Sequence, residues 1–76
     1  MSYGYSTHIV KLNKQASARL PGVKLGRLCI ANDIPVSEMA EDLGVTRQTL
    51  YNWFIGATNP ANSCAGAVQA AIARLK

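Results

Sequence analysis

Three residues, Gly44-Val45-Thr46, separate two short stretches that each carry an apolar stripe at helical spacing, and this interval constrains the fold more than any other feature of the chain. Upstream, Met39, Ala40 and Leu43 recur at i, i+1 and i+4 along a predicted helix from about Ser37 to Leu43. Downstream, Leu50, Trp53 and Phe54 recur at i, i+3 and i+4 along a predicted helix that Thr46 caps and that runs through Ile55. A glycine-containing turn of roughly three or four residues makes consecutive helices cross steeply, so that the second projects from the body. Gly44 suits the left-handed end of the first helix. Ala40 permits close approach at the crossing, Val45 plugs the turn, and Leu50 and Trp53 anchor the projecting helix from beneath.

The flanks extend the helical pattern. A helix is predicted from about Pro21, which a first turn accepts, to about Asn32, with Leu25, Leu28 and Cys29 inward. Gly22 and Gly26 weaken it by about 1 kcal/mol each relative to alanine, so it depends on packing against its neighbours. Asn32-Asp33-Ile34-Pro35 breaks it. After Gly56, Thr58-Asn59-Pro60 reads as a turn, and Ser63 is placed to cap a last helix striped by Cys64, Val68, Ala71, Ile72 and Leu75. Residues 1–15 offer only the brief alternation His8-Ile9-Val10-Lys11-Leu12, too short to make a sheet alone, and are expected to form an arm or a short edge strand. The expected architecture is all-α: four to five short helices, with residues 1–19 as an N-terminal arm and residues 20–76 as the folded domain.

A chain of 76 residues is one domain, small enough that it must bury nearly every large apolar side chain or gain burial through a partner subunit. With 49% hydrophobic and 16% charged residues it is too apolar for a disordered chain. No apolar run approaches the roughly 18 residues that span a bilayer, and Met1 to His8 lack the layout of a signal peptide, so a soluble protein of the cytoplasm with no membrane partner is expected. Cys29 and Cys64 lack CxxC spacing and are read as reduced, buried small hydrophobes. His8 is the single histidine and lies far from both in sequence. No metal or cofactor is expected, nor an enzyme or a small-molecule substrate, because the acids and the lone histidine form no constellation with a nucleophile.

The net charge is +4, and its layout matters more than its sum. All four acids, Asp33, Glu38, Glu41 and Asp42, fall within ten consecutive residues, with Lys11, Lys14, Arg19, Lys24 and Arg27 before them and Arg47, Arg74 and Lys76 after. Basic surfaces on either side of one acidic helix face suit a polyanion such as nucleic acid.

The stretch VSEMAEDLGVTRQTLYNWFIG, residues 36–56, resembles the helix-turn-helix of the Cro and repressor (Xre-like) family of phages and bacteria. Met39, Ala40, Leu43, Gly44, Val45, Leu50 and Trp53 stand in the family's apolar, Ala, apolar, Gly, apolar, apolar and apolar places. The resemblance implies a DNA-binding domain over residues 20–76 that reads the major groove of double-stranded DNA, working as a repressor-type transcription regulator in a bacterial cell. Pro35 and Val36 stand where the family often has a hydroxyl cap and a phosphate-holding glutamine, and Ser37 is the nearest substitute. The segment from Met1 to Arg19 has no counterpart in the family pattern.

The residues point to the same roles. With Leu50, Trp53 and Phe54 inward, Arg47, Gln48, Tyr51 and Asn52 face outward as candidate base contacts, because arginine matches a guanine edge and an amide matches adenine. Thr49 reaches a thymine methyl or a phosphate, and Tyr51 reads equally as a brace for the following loop. Ser37, Thr46, Thr58 and Asn59 are candidate phosphate contacts, at helix starts and in the loop. Lys11, Lys14 and Arg19 read either as solvated chain or as a DNA-wrapping arm. A homodimer would pair two reading helices about 34 Å apart on a pseudo-palindromic site, with the Ala-rich last helix as its surface. Two other functions share these features: a phage accessory factor of terminase-like or recombination-directing type, and a helix-turn-helix module that binds a partner protein.

Overall fold

The computed structural model describes residues 6–76, which form five helices and no strand. Residues 1–5 of the expected arm lie outside the described residues. The helices are α1 (Thr7–Gln15), α2 (Pro21–Ala31), α3 (Val36–Leu43), α4 (Arg47–Phe54) and α5 (Asn62–Leu75). Leu25, Met39, Leu50, Phe54 and Val68, each from α2 to α5, meet in one core and are fully buried. Among the described residues no helix is long and apolar enough to cross a membrane.

Three helices end in the same way, and each end follows from residues beside it. After α2, Asp33 takes a left-handed conformation (φ 53°), Asp33 N–H donates to Ile30 O and Ile34 N–H to Cys29 O. After α3, Gly44 (φ 69°) does the same, with Gly44 N–H on Glu41 O and Val45 N–H on Ala40 O. After α4, Gly56 (φ 80°) repeats it, with Gly56 N–H on Trp53 O and Ala57 N–H on Asn52 O. This paired closure is the Schellman ending, which satisfies carbonyls that a helix would leave open. Ile34 and Val45, the residues just past two of these turns, pack half-buried against the core and fix the angle of the next helix.

The N-terminal segment corrects the expectation of an arm or edge strand, because residues 7–15 are helical. Ser6 accepts from the Ile9 N–H at 3.2 Å as an N-cap. Ile9, Leu12, Asn13 and Ala16 then follow i, i+3, i+4 and i+7, and all four are buried or half-buried. The stripe is obscured in sequence because its most buried member is polar. Asn13 is 1% exposed, and its Nδ2 donates to Phe54 O at 2.7 Å and to Val23 O at 3.2 Å, joining α1 to α4 and α2. The exit of α1 is held from outside: the Arg27 guanidinium donates to the carbonyls of Lys14 and Ala16 at 3.1 Å each and of Asn13 at 3.5 Å. A cation at that position also complements the α1 dipole.

Gly22 and Gly26 face α4. A Cβ on Gly22 would lie 2.7 Å from Trp53 Cβ and 2.8 Å from its carbonyl oxygen, and one on Gly26 would lie 2.7 Å from both Phe54 Cγ and Asn13 Nδ2. The helix propensity lost at these two positions is therefore offset by an approach of α4 that no side chain would allow.

Two smaller expectations are corrected. Ser63 does not cap the last helix: α5 begins at Asn62, with the Ala61 carbonyl accepting from Cys64 and Ala65 N–H, which leaves Ser63 exposed in the first turn. Cys29 is buried, but Cys64 is half-buried, because it lies in that same outer first turn of α5; both are thiols.

Candidate nucleic-acid interface

The face of α4 is set by what holds it down. Leu50, Trp53 and Phe54 are buried, so Arg47 and Gln48 are exposed in the first turn and Tyr51 and Asn52 are half-buried one turn on. Gln48 Nε2 donates to Asn52 Oδ1 at 3.2 Å, so these two amides form one linked pair along the outer face. Thr49 is half-buried, and its position is tied to the cap: Thr46 Oγ1 accepts from Thr49 N–H at 3.1 Å and donates to Thr49 Oγ1 at 2.9 Å. The cap therefore occupies the Thr46 hydroxyl, while the Thr49 hydroxyl keeps its own hydrogen to offer.

Of the other expected phosphate contacts, Ser37 is exposed in the first turn of α3. Thr58 and Asn59 are exposed in the turn that leaves α4, and that turn is fixed because Asn52 O accepts from both Ala57 N–H at 2.9 Å and Thr58 N–H at 3.3 Å. Asn52 thus presents its side chain to Gln48 and its carbonyl to the turn. Arg47, Gln48 and Asn52 lie on one short helix with Thr58 and Asn59 following it, whereas Ser37 stands at the start of the preceding helix.

Sequence counting treated every cation alike, and the structure does not. Arg27 is committed to the α1 carbonyls, and its Nε is buried without a hydrogen bond. Arg74 pairs with Asp42 at 3.6 Å between α5 and α3, and both side chains are exposed. Lys11, Lys14, Arg19, Lys24, Arg47 and Lys76 are exposed and lie in no ion pair among the described residues. Glu38, Glu41 and Asp42 are exposed on α3.

Sequence reasoning missed Asn13 and Arg27 as the residues that bind α1 into the body. The available signal was the helical spacing of Ile9, Leu12, Asn13 and Ala16. No three His, Cys, Asp or Glu side chains among the described residues are grouped closely enough to hold a metal ion. A shallow groove of about 280 Å³ between α3 and α5 is lined by Leu43, Ala67, Ala70 and Ala71 with the Asp42–Arg74 pair at its edge. Comparison with known protein families, curated proteins and solved structures finds no match to this chain.

Proposed function

We propose that this protein binds double-stranded DNA sequence-specifically in the bacterial cytoplasm, as a transcription regulator that seats α4 in the major groove. The observation that carries the reading is the two-sided character of α4. One side is sealed against α2 by Trp53 and Phe54, and the other presents Arg47 and Gln48 in a first turn that Thr46 caps, with Gln48 linked to the half-buried Asn52 one turn on. Side chains of this kind, at the start of a projecting helix, match the hydrogen-bonding edges of guanine and adenine. The free cations lie on elements other than α3, which carries most of the acids, so the electrostatic attraction to phosphate falls away from that helix. A homodimer, paired through the exposed alanines of α5, supplies two reading helices for a two-fold site.

Selection of bound duplexes from a random pool, followed by titration at fixed salt, tests this directly. Arg47→Ala should cost roughly 1–3 kcal/mol on the enriched site and flatten preference at one base pair of each half-site. Ser37→Ala should weaken all duplexes about equally. Uniform weakening by Arg47→Ala would make Arg47 a phosphate contact and pass base reading to Gln48 and Asn52. No enrichment, together with no salt-dependent affinity, would remove DNA as the partner.

A further inference from the structure

The corner between α1 and α2 is attached to the far end of α4. Asn13 binds the Phe54 carbonyl at 2.7 Å, and a Cβ on Gly56 would lie 3.3 Å from Ala16 Cβ and 3.4 Å from Leu20 Cδ1. The backbone of this corner is further clasped by Arg27, whose guanidinium holds the carbonyls of Lys14 and Ala16. Lys14 and Arg19 are therefore exposed cations on a fixed scaffold rather than on a loose tail. No Asp or Glu occurs before residue 33, and Asp33 lies beyond the opposite end of the 11-residue α2.

We infer that this corner, through Lys14 and Arg19, grips the DNA phosphodiester backbone that runs past the C-terminal end of α4. The inference rests on α4 being the reading helix. With the N-terminal residues of α4 on base edges, as a recognition helix places them, the C-terminal end of this eight-residue helix lies about 12 Å further on at roughly 1.5 Å per residue. Groups fixed beside that C-terminal end thus stand towards the phosphates that flank the base pairs α4 reads. Arg47 belongs to the N-terminal end. At the C-terminal end, Thr58 and Asn59 are neutral, and the charge that a phosphate contact needs comes from the neighbouring corner. The extra N-terminal helix accordingly widens the footprint to phosphates outside the base pairs that α4 reads.

The test is the salt dependence of binding to the selected duplex, measured for the full chain and for Lys14→Gln, Arg19→Gln and, as a charge-matched control at the far end of α5, Lys76→Gln. Each of the first two should reduce the magnitude of the log–log salt slope by about 0.9 and leave the base preferences unchanged, and Lys76→Gln should leave the slope as it was. Neutral methylphosphonate linkages introduced singly should weaken the unsubstituted protein at a flanking phosphate where Arg19→Gln no longer responds. Full slopes for both corner variants overturn the inference, as does an equal loss for Lys76→Gln, which would mark diffuse charge. If the enriched site still loses its preference with Arg47→Ala while the corner variants keep full slope, only the corner falls. If the unsubstituted protein shows no salt-dependent DNA affinity, the reading helix and the corner fall together.

Discussion

Residues 36–56 and residues 6–20 are both helical and both packed on α2, yet they are held by different means. In the first region three of the four helix boundaries are written in an adjacent residue: Thr46 caps α4 through Thr49 N–H, and Gly44 and Gly56 supply the left-handed turns that end α3 and α4. In the second, the start of α1 is local, through Ser6, but its attachment is distant. Asn13 reaches partners 10 and 41 residues away, and Arg27 closes the end of α1 from the middle of α2. The contrast teaches that a turn with its own capping residues can be recognised in isolation, whereas a helix anchored by one buried amide is recognisable only with its acceptors in view.

The strongest way to break this comparison is at the glycine floor on which both regions rest. Gly26→Ala should destabilise the protein by about 3 kcal/mol, the upper end of overpacking costs, because the new methyl meets the Phe54 ring and the Asn13 amide at 2.7 Å. Urea denaturation reads the sign as well as the size. If the variant is instead more stable by about 1 kcal/mol, as helix propensity alone would give, α2 and α4 are not in close contact.

Asn13→Ala sharpens the comparison next. Leaving its two carbonyl partners without the amide should cost about 2 kcal/mol, since buried polar groups then lose their partner. Amide exchange should speed up over residues 7–15 while the amides of α3 and α4 keep their protection relative to the global opening. Uniform loss of protection across all five helices would show that α1 is no separate attachment.

The smallest effect is expected inside the locally encoded region. Gly44 has no neighbour within 4 Å of where a Cβ would stand, so Gly44→Ala meets only the left-handed backbone penalty of about 1 kcal/mol. A thermal midpoint unchanged from the parent would show that the turn relaxes out of its left-handed conformation at no cost.

Spacing and turn chemistry made α2 to α5 legible within one or two residues, and they placed Arg47 and Gln48 on the exposed side of α4 with Leu50 beneath. The failure at α1 has a specific cause. His8-Ile9-Val10-Lys11-Leu12 mimics strand alternation, and the helical stripe runs through a polar residue that hydropathy sets aside. Ser63 misled for a related reason, since a hydroxyl near a helix start is a cap only if its backbone is extended there, and in this chain Ala61 takes that place.

The sequence by itself determined where α2, α3 and α4 start and stop to within a residue or so, and therefore that two short helices flank a glycine turn, because caps and left-handed turns are satisfied within a few residues. Tertiary structure alone decided which polar residues are spent and which are available. Asn13 and Arg27 look like surface groups in the chain and become internal fasteners once α4 and the end of α1 bring carbonyls within 3.5 Å of them. Lys14 and Arg19 stay exposed beside them. The physical reason is that a buried hydrogen bond needs its acceptor desolvated and in place, a condition that only the packed helices create.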